Sequence, residues 1–341
     1  MKLLVVGADS TYAIERFYLK YWKENTFGME IDFFPCQNLF YEYYNKNIVN
    51  KIFYKLGISS IYKKINNFLI GRIDLFAPDI IFVFKGMEVS PATLGYAKKK
   101  GIKLINYNPD NPFIFSGSGS GNNNITKGIG LYDFHFTYSE AIKKQLDFHF
   151  NIQTAILPFG FDIDESVFNL AKNKEEIQKV CFIGNPDKFR AKLIQSLAYK
   201  GIEIDVFGYG WDKFVNHQNI NCFKTVSNNE LWYTLRKYRI QLNIMRPHNL
   251  DSHNMRTFEI AGIGGIQLAP DTPEHRFFFE NGKEIYLYKN MEECQLIISS
   301  LLGLSKQEAF RIRENARSKS IISKYSYCER SLQVLNIINS L

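Results

Sequence analysis

Residues 251–270, Asp-Ser-His-Asn-Met-Arg-Thr-Phe-Glu-Ile-Ala-Gly-Ile-Gly-Gly-Ile-Gln-Leu-Ala-Pro, indicate how this chain folds and what it binds. Asp251 and Glu259 are separated by seven residues across a loop and the first turns of a predicted helix, with Arg256 between them. Glycines end this helix and lead into a predicted strand. Backbone N–H groups at a helix start and a guanidinium both bind phosphate, while carboxylates accept hydrogen bonds from hydroxyl groups. The stretch therefore favours binding of a phosphorylated sugar.

Apolar runs alternate with helical patterns on both sides of this stretch. Strands are predicted at residues 2–6, 31–34, 80–84, 103–107, 179–184, 204–210 and 240–245, and helices at 11–24, 92–100 and 188–198. Alternation of this kind predicts an α/β fold with doubly wound sheets. A chain of 341 residues suits two domains facing across a cleft. The Pro and Gly of residues 156–162 indicate the boundary, so we expect an N-terminal domain at 1–158 and a second at 159–325. A last helix at 326–341 is expected to pack back toward the first domain.

Composition excludes several classes of protein. Apolar residues make up 45% and charged residues 22% of the chain, and no apolar run is long enough to span a bilayer. The N-terminus lacks the features of a secretory signal, so a cytoplasmic protein is expected. Five scattered cysteines predict neither disulfides nor a zinc site. The net charge of +8 comes from dispersed lysines, so no nucleic-acid partner is expected.

One basic segment is a candidate surface for membranes. Residues 45–73 contain no acid, and lysines alternate there with aromatic and apolar residues at helical spacing. Two amphipathic helices are predicted. They either contact anionic lipid at the inner face of the cell membrane or pack as ordinary helices with solvated lysines.

Two further segments follow predicted strands. Residues 116–124 are rich in Gly, Ser and Asn, which predicts either a mobile lid or an inert surface loop. In the second half, Gly184 and Asn185 end a strand, and Arg190 follows near the start of a helix. That arrangement is a second candidate phosphate site.

The second half resembles the C-terminal domain of GT-B glycosyltransferases, and within them the CgeB-type, spore maturation protein-like group related to the retaining enzymes of family 4. The matching text is residues 180–185, 206–211, 242–246, 254–265 and 313–330, with weaker similarity at 78–86 and 108–110. The resemblance implies two Rossmann-like domains. It also implies transfer of a sugar from a nucleoside-diphosphate sugar to a glycan or lipid-linked acceptor, in bacterial surface polysaccharide or glycoconjugate synthesis.

The family's functional residues carry over to this sequence one by one. Glu259 matches the glutamate that contacts the donor ribose, and Asp251 occupies the position of the glutamate near the sugar, with a shorter side chain. Of two cations after the strand-end glycine, only Arg190 is present, and Arg256 or Arg246 can replace the other. His253, Asn254 and Tyr209 complete the predicted donor site, with Gly184 and Asn185.

The resemblance implies a retaining reaction that needs neither a metal nor a tightly bound cofactor. If the reaction instead inverts configuration, a base from the first domain must take the acceptor proton. Asp110, Asp9 and Glu88 at predicted strand ends are the candidates. Two other functions stay open, a sugar-nucleotide epimerase or hydrolase of the same shape and a non-catalytic sugar-binding protein. A nicotinamide dehydrogenase is disfavoured because residues 7–12 lack the Gly-x-Gly-x-x-Gly turn.

Overall fold

Two six-stranded parallel sheets, each covered by helices, organise the chain. The computed structural model describes residues 1–11, 13–26, 28–115, 119–246 and 251–341. One unit comprises Met1–Pro158 with Arg330–Leu341, and the other comprises Phe159–Glu329. The predicted α/β class with doubly wound sheets is confirmed.

The first unit contains sheet order β2-β1-β3-β4-β5-β6. Its strands are β1 (Lys2–Val6), β2 (Glu30–Phe34), β3 (Ile80–Phe84), β4 (Lys103–Asn108), β5 (Phe134–Thr137) and β6 (Gln153–Ile156). Its helices are α1 (Glu15–Asn25), α2 (Cys36–Lys46), α3 (Ile48–Lys55), α4 (Ile61–Phe76), α5 (Pro91–Lys99), α6 (Asn123–Gly128) and α7 (Glu140–His149). Strand β3 is buried along its whole length, as expected for a parallel sheet covered on both faces.

The second unit repeats this construction with sheet order β12-β11-β10-β7-β8-β9. Its strands are β7 (Ile177–Ile183), β8 (Ile204–Phe207), β9 (Ile220–Phe223), β10 (Tyr238–Leu242), β11 (Gln267–Pro270) and β12 (Tyr286–Tyr288). Its helices are α8 (Glu165–Lys172), α9 (Lys188–Tyr199), α10 (Asn228–Lys237), α11 (Met255–Gly262), α12 (Pro273–Phe278), α13 (Met291–Leu302) and α14 (Lys306–Ile322). A last helix, α15 (Tyr327–Ile338), continues into the first unit.

The strand order of the second sheet locates its ligand-binding edge. The first strand of this unit, β7, lies at the centre, the next two strands lie on one side and the last three on the other. In doubly wound sheets, ligands bind beyond the carboxyl ends of the strands where the order reverses. Here that position is the crevice between the loops that follow β7 and β10.

Residues 45–73 form the two predicted helices, but the helices differ in burial. Helix α4 buries the apolar stripe that includes Ile61, Ile65 and Leu69, so ordinary packing describes it correctly. Helix α3 has no buried residue. Among the described residues, no helix is long and apolar enough to cross a membrane.

The lid or surface loop predicted at residues 116–124 is wrong for residues 123 and 124, which begin helix α6. Ser116–Ser118 lie outside the described residues, whereas Asn122 caps α6 and donates from Nδ2 to the carbonyl oxygen of Met87 at 2.9 Å. Asn124 donates to the same carbonyl at 2.7 Å. Side-chain amides therefore anchor residues 122–124 to the loop after β3, an arrangement that composition alone does not predict.

Candidate functional site

Arg190 connects the two loops where the strand order reverses. Asp187 caps α9 by accepting a hydrogen bond from the backbone N–H of Arg190 at 2.9 Å. From this first turn, the Arg190 guanidinium donates to the carbonyl oxygen of Asn185 at 3.1 Å and to that of Ile244 at 3.1 Å. The first carbonyl follows β7 and the second follows β10. Arg190 therefore lies at the crevice that the topology marks as a ligand site.

The electrostatics around Arg190 favour an anionic ligand. Burial, together with the positive charges of Arg246 and Arg256, lowers the pKa of Arg190 to about 10, while Asp187 opposes the shift. The Nε atom of Arg190 is buried and has no hydrogen-bond partner within the described part of the chain. The three arginines repel each other, and the two nearby acids, Asp187 and Glu259, offset only part of that repulsion. A bound anion would remove that repulsion.

Glu259 lies on the first turns of α11 and is paired with Arg256. Glu259 is only 5% exposed, so it is not a solvated acid on the helix surface. Burial raises the pKa of the Glu259 carboxyl, and the ion pair with Arg256 opposes that shift. A buried carboxylate that keeps one charged partner is suited to accept hydrogen bonds from vicinal hydroxyl groups.

The start of α11 is fixed by a network of side chains. Asn254 and Thr257 form a capping box, and the amides of Asn254 and Asn243 exchange hydrogen bonds of 2.8 and 3.1 Å. The Thr257 hydroxyl contacts Nε2 of His275 at 3.0 Å, while Nδ1 of His275 lies 2.8 Å from the carbonyl oxygen of Pro270. Burial lowers the pKa of His275 to about 4, so the ring is neutral near pH 7 and donates from Nδ1. The predicted site residue Asn254 therefore acts through its side chain as scaffold.

His253 lies in the loop directly before α11. Its side chain is fully buried, with rings of Phe159, Phe258 and Phe278 at 5.0 to 5.7 Å, and its Nδ1 lies 2.6 Å from Glu274. The residues around it in the sequence are mostly polar and do not indicate this burial. A carboxylate supplied by α12 and a set of aromatic rings from other parts of the unit instead hold it inside.

The loops after β7 and β8 approach each other closely. Nε1 of Trp211 donates to the carbonyl oxygen of Gly184 at 2.8 Å, and a Cβ added at Gly208 would lie 2.4 Å from that same oxygen. Only glycine fits at Gly208, which explains one glycine of the 208–210 turn. Trp211 is 1% exposed and belongs to the core. The predicted site residue Tyr209 is 81% exposed.

Asp251 and Arg246 lie on either side of residues 247–250, which are outside the described residues. Both side chains are exposed. Of the predicted site residues, Arg246 and Arg256 act on the charge of Arg190, and Arg256 is ion-paired with Glu259. The structure therefore places these four side chains in one electrostatic cluster. It leaves the contribution of Asp251 as a prediction.

Arginines of α14 hold the glycine-rich end of α11, which the sequence did not predict. Arg313 is buried and donates to the carbonyl oxygens of Tyr238 at 3.0 Å and Gly264 at 3.4 Å. Arg317 donates to the carbonyl oxygen of Gly262 at 2.6 Å. The last carbonyl groups of a helix have no partner within the helix, so these guanidinium groups satisfy them and fix the axis of α11.

Asp110 belongs to the first unit and is held by Lys85. Their side chains are 2.7 Å apart, and Lys85 Nζ also donates to the carbonyl oxygen of Gly119 at 2.6 Å. Beside them Glu15 and Glu88 are buried. Burial raises the pKa of Glu88 to about 7, and the charge of Glu15 adds to the shift while Lys85 opposes it. Glu88, one of the candidate bases, therefore has a pKa near neutral pH.

Within the described residues, no group of three or more His, Cys, Asp or Glu side chains is placed to hold a metal ion. The donors gathered in the crevice of the second unit are guanidinium groups and amides, which bind anions.

Comparison with known proteins gives a family match in the second half of the chain. Residues 190–336, which begin at Arg190 and contain α11 and α14, match the family described as glycosyl transferase-like. A search of curated protein sequences finds no match.

Several solved structures share the fold over the whole chain. Sucrose-phosphate synthase from Thermosynechococcus elongatus matches with a TM-score of 0.71 and 10% identity, covering 100% of this chain and 98% of that one. Anabaena Alr3699/HepE, solved in complex with UDP-glucose, matches with a TM-score of 0.68 and 13% identity, covering 100% of both chains. UDP-GlcNAc 2-epimerase from Neisseria meningitidis, bound to UDP-GlcNAc, matches with a TM-score of 0.60 and 14% identity, also covering 100% of both.

The fold and the family match define the class of protein: this is an enzyme of the glycosyltransferase class with a GT-B fold. Within that class, the similarity is to the glycosyl transferase-like family, through residues 190–336.

Proposed function

We propose that this enzyme transfers a sugar from a nucleoside-diphosphate sugar to a glycan or lipid-linked acceptor, with retention of configuration and without a metal. The observation that carries the proposal is the arginine cluster at the strand-order reversal. Arg190 is largely buried, its pKa is lowered, and Arg246 and Arg256 add like charge around it. Such a cluster is stable and useful when a diphosphate supplies the missing negative charge.

The chemistry assigns separate tasks to these residues. The bond between the anomeric carbon and the diphosphate oxygen breaks, a bond to the acceptor oxygen forms, and the acceptor hydroxyl loses its proton. Negative charge grows on the leaving diphosphate, and Arg190 and Arg256 stabilise it there. Glu259 binds the ribose hydroxyl groups, and Asp251 binds the transferred sugar. With retention of configuration, the oxygen of the leaving diphosphate takes this proton. A proton acceptor from the protein is needed only if the reaction inverts configuration, and Asp110, Asp9 and Glu88 are the candidates.

The acceptor and the place of action complete the proposal. A lipid-linked or cell-surface glycan acceptor places the enzyme at the inner face of the bacterial cell membrane, in polysaccharide or glycoconjugate synthesis. The basic segment at residues 45–73 supports contact with anionic lipid there.

The first experiment is a thermal-shift screen of nucleoside diphosphates, since a ligand that binds only the folded state raises the melting temperature. A shift that is present in the parent and lost in Arg190→Ala supports the diphosphate site. The ligand found then defines the donor series for product analysis. Transfer of the sugar to an added acceptor supports the proposal. If isomerised or free sugar forms equally well without an acceptor, the protein is an epimerase or a hydrolase. One of the proteins with a similar fold is an epimerase.

A further inference from the structure

Helix α3 carries an apolar face that nothing in the described part of its unit covers. Six large side chains of α3 and the turn after it are between 43% and 69% exposed, namely Ile48, Val49, Ile52, Phe53, Leu56 and Ile58. The helix has no buried residue. Contiguous exposed apolar residues of this kind mark interaction surfaces in folded proteins.

The geometry of α3 shows that this face is turned away from its own unit. At about 100° per residue, the apolar side chains from Ile48 to Leu56 fall within an arc of about 140°. Asn50 and Tyr54 lie outside that arc. Asn50 donates to the carbonyl oxygen of Tyr43 at 2.8 Å, and the Tyr54 ring lies 4.9 Å from that of Phe40. These two contacts attach the helix to the unit from the opposite side.

The charges around this face identify what it fits. Lysines surround α3 in sequence at Lys46, Lys51, Lys55, Lys63 and Lys64, and no acid occurs between Glu42 and Asp74. None of these five lysines has an ion-pair partner among the described residues, whereas Arg72 is paired with Asp32. A second copy of the chain would bring two sets of unpaired lysines together. An anionic lipid surface buries the apolar residues and attracts the positively charged lysines.

We propose that α3 and its following turn are the membrane-docking element of this enzyme. The helix lies in the interface with Ile48, Ile52 and Leu56 inserted among the lipid headgroups, while the lysines contact the anionic lipids. This proposal rests on the membrane contact included in the proposed function. It narrows that contact from residues 45–73 to α3 and its following turn. The apolar stripe of α4 belongs to the core and takes no part.

Flotation with vesicles of phosphatidylcholine alone and with added phosphatidylglycerol tests this docking. We expect the parent protein to bind only the anionic vesicles and to be released by salt. Ile52→Ser together with Leu56→Ser should weaken binding by about tenfold or more, because the apolar area that leaves water is lost. Lys46→Gln together with Lys55→Gln should weaken it on the order of fivefold per lysine and reduce its salt dependence.

The matched control removes two large apolar side chains from other parts of the same unit. Leu75 and Phe148 are 78% and 83% exposed, so Leu75→Ser with Phe148→Ser removes as much exposed apolar surface. This variant should bind vesicles like the parent. An equal loss in the control, or no binding by the parent, would overturn the proposal. So would a parent dimer that Ile52→Ser with Leu56→Ser dissociates, or binding of oligonucleotides in place of vesicles.

The nucleotide-induced thermal shift keeps the two proposals separate. It should be unchanged in Ile52→Ser with Leu56→Ser, since α3 belongs to the first unit and the arginine cluster to the second. Vesicle binding without any nucleotide shift would contradict the proposed function alone. A nucleotide shift without vesicle binding would contradict the docking alone.

Discussion

Arg190 donates a hydrogen bond from Nη2 to the carbonyl oxygen of Ile244 across 3.1 Å, and so joins the loops that follow the two central strands of the second sheet. The two residues are 54 positions apart in sequence. Burial lowers the pKa of the same guanidinium, and the nearby charges of Arg246 and Arg256 lower it as well. One side chain therefore shapes the crevice and supplies charge to it.

Replacing Arg190 should remove much of the affinity for a nucleoside diphosphate. A hydrogen bond to a charged group contributes about 1.5–3 kcal/mol, so we expect Arg190→Ala to weaken binding by roughly tenfold to a hundredfold. Calorimetry with the nucleotide from the thermal screen measures this. Lys188→Ala is the matched control, because Lys188 is an exposed cation of the same helix turn and should matter little. Parent-like affinity in Arg190→Ala would contradict the site.

Glu259→Gln tests a contact with the ribose rather than with the phosphates. The amide keeps the shape of the side chain but binds two hydroxyl groups less well than a carboxylate. We expect about tenfold weaker binding of the ribonucleotide and no change for its 2′,3′-dideoxy analogue. Calorimetry with both ligands gives the coupling free energy between the Glu259 side chain and the ribose hydroxyl groups.

The exposed acid Glu230 on α10 provides the control for that experiment, as Glu230→Gln. Because Glu259 is also the ion-pair partner of Arg256, the dideoxy ligand separates its two tasks. Equal losses for both ligands would mean that Glu259 acts only by holding Arg256.

Two glycines should respond in opposite directions to the same substitution. A Cβ at Gly208 would lie 2.4 Å from the Gly184 carbonyl oxygen, so Gly208→Ala should destabilise the protein and weaken nucleotide binding. A Cβ at Gly95, inside α5, would meet no atom within 4 Å. Gly95→Ala should therefore raise the free energy of unfolding by about 0.5–1 kcal/mol. Urea titrations of both variants measure these changes, and destabilisation of similar size in both would contradict the packing.

The sequence predicts those parts of the fold that local patterns encode. The apolar run at Ile80–Phe84 is the buried strand β3, and the helix beginning near Arg256 is α11. Both signals depend on neighbours in sequence, namely the period of apolar residues and the polar cap before a helix. The alternation of strands and helices predicts doubly wound sheets, and the resemblance to GT-B enzymes adds the pair of Rossmann-like domains.

Contacts between distant segments could not be predicted in this way. His253 is buried because Glu274 and aromatic rings surround it, and Arg313 reaches carbonyl groups near α11 from a helix about fifty residues later. In each case the partner is chosen by the tertiary fold, while the local sequence shows only a polar residue. The capping box of Asn254 and Thr257 was visible in the sequence, and it could have indicated that the Asn254 side chain is committed to the helix start.

The buried acids of the first unit make its stability depend on pH. Glu88 has a pKa of about 7 in the folded protein against an ordinary value of 4.5, because burial and the neighbouring charge of Glu15 disfavour ionisation. Between these two values the folded state binds more protons than the unfolded state, so the free energy of unfolding falls as the pH rises. The raised pKa corresponds to a loss in the free energy of unfolding on the order of 3 kcal/mol between about pH 4.5 and pH 7.

Glu88→Gln should flatten that dependence, because the amide fits the same space and cannot ionise. The variant is expected to be more stable than the parent above pH 7, where the parent holds Glu88 ionised beside Glu15 and Cys36. At pH 4.5 the two should be nearly equal. Urea titrations from pH 4.5 to pH 8 measure the difference, with Glu24→Gln, an exposed acid of α1, as the control whose curve follows the parent. A Glu88→Gln curve that runs parallel to the parent's would show that Glu88 does not titrate in this range, and Glu88 would then be excluded as a proton acceptor near neutral pH.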